Sequence, residues 1–345
     1  MRREAMDAIT RVLFQYDLVP TTIEKKGRVY RVTTRQGQFA LKPLMMDQPA
    51  LNSFAEITNR LKTLKIRLPQ LILTKYGDRF ALDAGIPFYL TLWLDDRPLT
   101  DERKAEILIK ELAQLHRLTA GGQPADSESA GDRFDRLLRD WMEEQRRLES
   151  FALRAEHRLY PSPFEQRFLN QFHHIMADAE RASAMMNASR GADGANRFVL
   201  CHGQPVLSHV LETSTGPFLL NFEQAVWDTP VRDIAMFFTN NAMAIRHWDT
   251  LYQLYIMVNP LSIEEKKALT AWLTHPGSYP ALISRYYEDP QKKEVDYIRG
   301  FERIDIHRRL IKEMVNDLEK EISDESLAES DPSLQQADIQ EDKNN

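Results

Sequence analysis

Polar side chains that could take part in chemistry lie near two short apolar runs in the second half of the sequence. Gln204 and His209 follow the first run, while Asn221 and Glu223 come at the end of the second. A side-chain amide can orient a hydroxyl group or offer a carbonyl oxygen to a cation, but it has no useful basicity near neutral pH. Glu223 is two residues beyond Asn221, so on an extended strand both side chains would lie on one face. The pattern predicts a site with hydrogen-bonding groups and one carboxylate.

Short strands are predicted to position these residues. Residues 198–201 (Phe-Val-Leu-Cys) are typical of a buried strand, 209–212 and 218–222 of two paired strands, and 213–216 of the turn between them. Cys201 is the only cysteine, so no intramolecular disulfide can form, and we expect it to be a small buried apolar residue. We therefore expect the polar residues at the ends of a β hairpin.

The amino-terminal part predicts a helix over the first sixteen residues and then β structure that carries Lys42. A following helix carries Glu56, and a further hairpin is predicted to turn at 76–78. The β-prone runs, which indicate an antiparallel meander and an apolar strand, are 21–24, 28–33, 38–43 and 87–94. Lys42 is thus predicted to lie on the third strand of the meander.

The remaining sequence is mainly helical. Apolar residues at helical spacing predict helices at 100–121, 132–155 and 162–187, and again from the β hairpin to about residue 322. The charged faces of the two long helices are more typical of solvated surface than of a binding site.

Charge is concentrated at the carboxy terminus. The chain has 345 residues and a net charge of −6, and residues 323–345 hold seven acidic residues and one basic residue, which equals the whole net charge. This segment has few apolar residues, so we expect it to be a disordered acidic tail. A neutral body argues against nucleic acid as a partner.

No run predicts a membrane span or a secretion signal, so we expect a cytoplasmic protein.

The order of elements resembles the bilobal protein-kinase-like fold, an α+β fold with a small antiparallel-sheet lobe and a larger, mainly helical lobe. Within it the chain resembles the aminoglycoside and choline phosphotransferase branch, and most of all the CotS and YutH group of spore-coat-associated kinase-like proteins. The resemblance spans roughly residues 8–320. It implies an amino-terminal lobe at 1–94 and a carboxy-terminal lobe at 95–322, the second containing the catalytic hairpin 198–223.

The resemblance assigns a nucleotide site to the amino-terminal lobe. Residues 27–32 resemble the loop and strand over the nucleotide, 39–42 the strand whose lysine pairs with phosphates, and 88–94 the hinge. It therefore implies that Lys42 and Glu56 form a nucleotide-binding pair; the alternative for Lys42 is a surface lysine. On a helical wheel Glu56 lies about 160° from the apolar stripe, so it either faces the cleft or is a solvated charge.

The catalytic motif is altered. Active members of the branch carry His-Gly-Asp, four residues, Asn, and about a dozen residues later Asp-Phe. Here the spacing is kept, but the base position holds Gln204, one metal-binding position holds His209 and the other holds Asn221. Mg²⁺ prefers oxygen ligands, and a carboxylate normally orients the nucleophile. The resemblance therefore implies no intact catalytic residue and no metal site, with Glu223 as a candidate substitute ligand.

Three hypotheses for function follow. The first is a pseudokinase that acts as a spore-coat-associated binding or assembly protein, with other spore-coat proteins as partners. The alternative is an active small-molecule phosphotransferase in which Glu223 replaces a metal ligand, and the third is a regulatory nucleotide or metabolite sensor. The candidate cofactor is ATP without tightly held Mg²⁺. His202 and Asp233 are expected to be structural, since Asp233 resembles the aspartate that braces the catalytic loop.

Overall fold

The computed structural model describes residues 2–123, 129–190, 197–289 and 291–330. These residues form two compact units. The first comprises Met1–Leu108 and Val206–Ala225, and the second comprises Ile109–Pro205 and Val226–Asn345. The predicted hairpin region 198–223 is therefore divided, and its later part belongs with the amino-terminal residues.

An antiparallel sheet of five strands dominates the first unit, as the β-prone runs predict. The elements are α1 (Arg2–Phe14), β1 (Pro20–Lys26), β2 (Val29–Thr34), β3 (Gly37–Pro43), α2 (Gln48–Thr63), β4 (Ala81–Asp83) and β5 (Ile86–Leu92). The strand order is β1-β2-β3-β5-β4, so β3 and β5 are neighbours.

One face of this sheet is buried against α1. Leu41 on β3 and Leu90 on β5 are fully buried there together with Val12 and Leu13 of α1. Burying a leucine side chain contributes roughly 1.5–3 kcal/mol. Because side chains alternate along a strand, the packing of Leu41 and Leu90 directs the neighbouring side chains to the opposite face. The apolar core therefore decides where Lys42 points.

A turn forms at 76–78, where the Thr74 N–H donates to the Asp78 carbonyl at 2.8 Å and the Gly77 N–H to the Thr74 carbonyl at 2.9 Å, but the hairpin of this region is formed by β4 and β5. The strands β4 and β5 are joined by Ala84 and Gly85, whose φ angles are 50° and 80°. A two-residue loop with both φ angles positive matches the right-handed twist of its strands. Ala84 is not a typical residue for such a turn, whereas Tyr76-Gly77-Asp78 carries the usual composition, and this is why the sequence assigns the hairpin to the earlier turn.

The later part of the first unit is a short hairpin flanked by two single turns of 3₁₀ helix. The hairpin consists of β7 (Val210–Thr213) and β8 (Gly216–Leu219), and the 3₁₀ turns are Leu207–His209 and Phe222–Gln224. Leu219 donates its N–H to the carbonyl of Arg67 at 2.9 Å, which fixes the hairpin to the first unit. The strand predicted at 218–222 is shorter than expected and ends at Leu219.

The second unit is mainly helical, with a two-stranded antiparallel ladder of β6 (Val199–Cys201) and β9 (Val226–Asp228). One of its core clusters joins four helices through aromatic side chains such as the fully buried Phe164 and Phe301. The elements are α3 (Asp101–Thr119, which begins in the first unit), α4 (Ala130–Glu156), α5 (Pro163–Ala188), β6 (Val199–Cys201), β9 (Val226–Asp228), α6 (Pro230–Asn241), α7 (Trp248–Ile256), α8 (Ile263–Thr274), α9 (Ser278–Glu288) and α10 (Glu294–Ser330).

The segment predicted to be a disordered tail begins as a helix. The helix α10 continues to Ser330, and its late residues Glu321 and Glu325 form ion pairs with Lys266 of α8. These ion pairs stabilise the helix beyond residue 322. The prediction of disorder rested on the composition of the segment alone and did not include contacts with other helices. The rest of the predicted tail, residues 331–345, lies outside the described residues.

A search of the described residues for membrane-spanning helices gives a negative result. None of their helices combines the length and the apolar character that crossing a bilayer requires.

Candidate functional site

Lys42 and Tyr89 define one wall of the candidate site. They lie opposite each other in the register of β3 and β5, on the sheet face that α1 leaves uncovered. Side chains that lie opposite each other on antiparallel strands are close enough to form hydrogen bonds with the same third residue. The sheet therefore presents an ammonium group and a phenolic hydroxyl side by side.

A compact polar network forms around the Lys42 ammonium group. Lys42 Nζ donates to Asn221 Oδ1 at 2.7 Å and to Glu223 Oε1 at 2.7 Å. Tyr89 donates its hydroxyl to the same Glu223 oxygen at 2.7 Å. The side chains of Lys42 and Glu223 are only 14% and 10% exposed, so this ion pair is much less screened than a surface pair.

The chain brings Asn221 and Glu223 to Lys42 through an unusual backbone turn. Asn221 has φ 63° and ψ 53°, in the left-handed region, and the 3₁₀ turn Phe222–Gln224 follows it. Asparagine tolerates this conformation better than most residues. The extended strand predicted for this segment is therefore wrong. The two side chains nevertheless reach the same atom, because the reversal at Asn221 and the following turn direct both toward the sheet.

Electrostatics favour the charged form of Glu223 and the neutral form of Tyr89. Burial raises the pKa of Glu223, but the charge and hydrogen bond of Lys42, with the hydrogen bond of Tyr89, more than offset it, and the pKa is lowered. Burial and the Glu223 carboxylate together raise the pKa of Tyr89 well above its ordinary value. At neutral pH the site therefore holds a lysine–glutamate ion pair and a protonated tyrosine.

A pocket of about 400 Å³ adjoins this network within the first unit. Its volume is within the range typical of small-molecule sites, and most of its lining is apolar. The apolar and aromatic side chains come from the sheet and the residues just after β5, from α2 and the segment that follows it, and from the β7–β8 hairpin and the turn after it. They include Phe54, Leu68, Leu71, Tyr89, Trp93, Leu219 and Phe222. Such a lining suits a planar, weakly polar ligand.

Charged side chains line other parts of the pocket. The Arg31 guanidinium lies over the Trp93 ring at 4.9 Å, donates to Gln38 at 2.7 Å and lies 3.9 Å from an oxygen of Asp95. The backbone N–H of Trp93 donates to the backbone carbonyl of Gln38 at 2.9 Å, so this part of the predicted hinge continues the sheet. The aromatic ring of Trp93 is thereby held in place by both its backbone and Arg31.

In the second unit, Asp233 braces the loop that follows β6. Its carboxylate accepts the N–H groups of His202 at 2.5 Å and Gly203 at 2.9 Å, and it lies 3.1 Å from His116 Nε2. His116 Nδ1 in turn lies 2.7 Å from the Tyr255 hydroxyl. Burial raises the pKa of Asp233, but His116, His202 and the Gly203 N–H together lower it below the ordinary value. The fully buried carboxylate is therefore ionised and fixes the loop.

Metal binding does not suit either cluster. His116, Cys201 and Asp233 have ligand atoms within 4.8 Å of one another, but Asp233 already accepts two backbone N–H groups, and burial raises the pKa of the Cys201 thiol well above its ordinary value. In the first unit, Asn221 and Glu223 both accept from a cationic donor, Lys42. An oxygen set bonded to an ammonium group does not match the anionic octahedral shell that Mg²⁺ prefers.

The structure brings some of the predicted site residues together and separates others. Lys42 and Glu56 do not form a pair, because Glu56 is exposed on α2 and has no ion pair among the described residues. His209 is buried, and its carbonyl accepts the Leu220 N–H at 2.9 Å, so it lies next to Asn221 at the end of the hairpin. Gln204 is exposed and belongs to the second unit.

Sequence reasoning missed Tyr89 as a functional residue. It assigned 87–94 to an apolar strand and gave Tyr89 no partner. The pairing of β3 with β5 is the signal that could have identified Tyr89. In that register Tyr89 lies opposite Lys42, so the two side chains are on the same face of the sheet. That register depends on β3 pairing with β5, which lie almost fifty residues apart and are not adjacent in sequence order.

The chain belongs to the phosphotransferase enzyme family APH, whose model matches residues 24–256. This confirms the predicted phosphotransferase branch. The matched range contains Lys42, the Asn221–Glu223 turn and Asp233, so both polar clusters lie within the region that defines the family.

Solved structures confirm the predicted kinase-like fold. An aminoglycoside phosphotransferase from Alicyclobacillus acidocaldarius is similar with a TM-score of 0.76 at 15% identity, covering 91% of this chain and 96% of that one. A spectinomycin phosphotransferase bound to AMP has a TM-score of 0.66 at 13% identity, covering 90% and 96%. A choline kinase from Streptococcus pneumoniae has a TM-score of 0.52 at 14% identity, covering 90% and 99%.

Proposed function

We propose that this protein is a pseudokinase, a phosphotransferase-family member that binds a ligand in the pocket of the first unit without transferring phosphate. The observation that carries this proposal is the network around Lys42, in which the ammonium group is bonded to Glu223 and Asn221. The lysine that this family would direct at phosphates is thus bonded to Asn221, a neutral amide at the position where the motif would place a metal-binding aspartate.

Phosphoryl transfer depends on positioning and on neutralising the charge of the transferred group. The motif positions hold Gln204, His209 and Asn221, which are uncharged or poor ligands for Mg²⁺. Removing one electrostatic group from such a site commonly lowers the rate by about 10²–10³. Three simultaneous replacements support a binding role rather than a catalytic one.

A second candidate is an active small-molecule phosphotransferase. The fold neighbours include a spectinomycin phosphotransferase and a choline kinase, and one of those structures holds AMP. In this alternative Glu223 would exchange Lys42 for a divalent cation and replace the missing carboxylate. The pocket size is compatible with both candidates, so turnover must distinguish them.

The biological role that we propose is spore-coat binding or assembly, with other coat proteins as partners. This part rests on the resemblance to the CotS and YutH group. A fluorescent fusion under the native promoter, followed through sporulation, tests it. We expect the signal to form a shell around the forespore, and diffuse fluorescence throughout sporulation would contradict the coat assignment without affecting the pseudokinase assignment.

Turnover and a restored-motif variant test the pseudokinase assignment. The purified protein should release no ADP above the enzyme-free rate with ATP and Mg²⁺ over a panel of aminoglycosides, choline and aminoalcohols. The double variant Gln204→Asp with Asn221→Asp should gain Mg²⁺-dependent stabilisation by ATP in a thermal-shift titration, because it returns two carboxylates to the motif.

A charge-matched variant controls for added acidity. Gln36→Asp with Asn52→Asp makes the same chemical changes at two exposed positions outside the pocket lining, and it should gain no such stabilisation. Acceptor-dependent ADP release by the unmodified protein would refute the pseudokinase assignment and favour the alternative. A folded restored-motif variant that shows no gain would contradict the placement of the motif.

A further inference from the structure

A second pocket is lined by residues of the second unit. Its lining comes from α4, the end of α5, the residues around the β6–β9 ladder, the first turn of α6 and α8. The volume is about 260 Å³. This value is just below the range of about 300–1,000 Å³ that is typical of drug-sized ligands, so the pocket suits a smaller molecule.

Two arginines share one aspartate at the charged side of this pocket. Asp228 Oδ2 accepts from Arg133 Nη1 and from Arg232 Nη1, at 3.0 Å in each case. Asp228 Oδ1 accepts the N–H of Thr229 at 2.8 Å. The side chains of Arg133, Arg232 and Asp228 are 18%, 31% and 14% exposed, so their charges are less screened than those of a surface pair. Two guanidinium groups thus face one carboxylate.

The net charge of the lining is positive. Its other charged residues, Arg136 and Asp140, are exposed on α4 and cancel each other, so three arginines and two aspartates leave a charge of +1. The pocket also adjoins the amino-terminal end of α6, because Thr229 precedes that helix and Arg232 lies in its first turn. The helix dipole favours negative charge at this end. An anion is therefore favoured beside Asp228.

The bonds to Asp228 position the two guanidinium groups and still allow them to bind a ligand. A guanidinium group has five N–H donors in a planar fork that matches a phosphate or a carboxylate, and a bond to one aspartate oxygen takes one of the five. The Arg133 guanidinium also lies over the Phe198 ring, 5.6 Å from its centroid, which further fixes its plane. An oxyanion can thus contact both forks.

Apolar side chains form the other side of the pocket. Phe134, Met186 and Ala268 are buried there. The ring of Trp272 completes this side, and it is held edge to face against Trp141, with the ring centroids 5.6 Å apart. A ligand that fills the pocket would therefore have an apolar body next to its charged group.

We propose that this pocket binds a small organic oxyanion. Its phosphate or carboxylate group is held by Arg133 and Arg232, and its apolar body packs against Phe134 and Trp272. Two arginines oriented by a shared aspartate provide donors in fixed directions, which is the arrangement that recognises both kinds of head group. The site goes beyond the proposed function, because none of its residues belongs to the pocket of the first unit.

Binding of phenyl phosphate, benzoate and benzyl alcohol to the full-length protein tests this proposal. The three probes share one aromatic ring and differ in the charged group. By isothermal titration calorimetry, the two anions should bind at a single site and at least about tenfold more tightly than benzyl alcohol. The anion that binds more tightly identifies the head group. Failure of both anions to show saturable binding would overturn the proposal, and so would equal affinity for benzyl alcohol.

The variant Arg232→Met tests the role of the shared aspartate site. It should lower the affinity for the preferred anion at least about tenfold, and Arg232→Lys should also weaken binding because an ammonium group lacks the planar fork. The matched control is Arg139→Met, which removes an exposed arginine of α4 that does not line the pocket. It should change the affinity less than about twofold.

A variant of the first unit separates this site from the proposed function. Lys42→Met should leave anion affinity unchanged, because Lys42 does not line the second pocket. Weaker anion binding in Lys42→Met together with unchanged binding in a folded Arg232→Met variant would place the anion in the first unit and overturn the proposal. Phosphate transfer from ATP would refute the pseudokinase assignment alone. The comparison of the three probes on the unmodified protein remains decisive even when a variant does not fold.

Discussion

The ammonium group of Lys42 is largely removed from water, and Glu223 is its charged partner in the pocket wall. Breaking such a pair leaves the remaining charge poorly solvated, so Lys42→Met and Glu223→Gln should each lower the free energy of unfolding by about 1–3 kcal/mol. The double variant should lose about 1–2 kcal/mol less than the sum of the single losses. Urea unfolding of the four proteins measures this coupling, and strictly additive losses would contradict direct pairing.

The same pair predicts a pH dependence. Because the pKa of Glu223 is lowered in the folded protein, its contribution to stability is present above the unfolded value of 4.5 and is lost as pH falls through the folded value. The stability difference between the unmodified protein and Glu223→Gln should therefore shrink on acidification from about pH 6 to about pH 3. Urea unfolding at a series of pH values measures it.

An exposed glutamate provides the control for this titration. Glu56→Gln makes the same chemical change on the surface of α2, where no ion pair of Glu56 occurs among the described residues. It should alter the free energy of unfolding by less than about 0.5 kcal/mol throughout the series. A difference for Glu223→Gln that is constant with pH would show that the pKa of Glu223 is not lowered in the folded protein.

At the scale of single elements, the turn at Asn221 determines whether the polar side chains reach Lys42. With φ 63° and ψ 53°, alanine is strained here and glycine is not, although both lose the side-chain hydrogen bond. Asn221→Ala should therefore be less stable than Asn221→Gly by about 1 kcal/mol. Thermal or urea unfolding of the two variants measures this strain without interference from the lost bond.

The order should reverse at a helical asparagine. Asn52 lies within α2, where alanine is favoured over glycine by about 0.8–1 kcal/mol. Equal stability of the two Asn221 variants, together with the expected order at Asn52, would mean that residue 221 is not left-handed in solution.

Elements with strong local patterns were predictable, and those that depend on long-range pairing were not. The meander β1–β3 follows from its alternating β-prone runs, and α2 from its apolar spacing. By contrast, β9 was not predicted, because its three residues become a strand only by pairing with β6. The hairpin turn at Ala84-Gly85 was missed because β4, the strand before it, has only three residues and Ala84 is not a typical turn residue.

At the scale of the whole chain, the long helix α10 depends on a buried lysine of α8. Lys266 is 6% exposed as a residue and pairs with Glu321 at 2.7 Å and with Glu325. Lys266→Met removes both bonds, so amide hydrogen exchange around residues 318–325 should become about tenfold faster, while exchange near Phe301, which is fully buried, should not change. Hydrogen exchange with mass spectrometry measures both regions.

The control for the helix is Lys312→Met on α10 itself, where the lysine is exposed. It should leave exchange in both regions unchanged. An equal acceleration along all of α10 in Lys266→Met would indicate that the helix opens as one unit, and no acceleration would indicate that apolar packing alone holds its end.

The sequence by itself determined the family-level fold and the departures from the catalytic motif, since local periodicity and residue identity are enough for both. It identified Lys42, Asn221 and Glu223, but it offered Glu56 as the partner of Lys42. Only the tertiary structure decided that Glu223, 181 residues further along the chain, takes that place together with Tyr89. The physical reason is that an ion pair forms between groups that packing brings together, and packing depends on strand register and backbone reversals that local patterns do not encode.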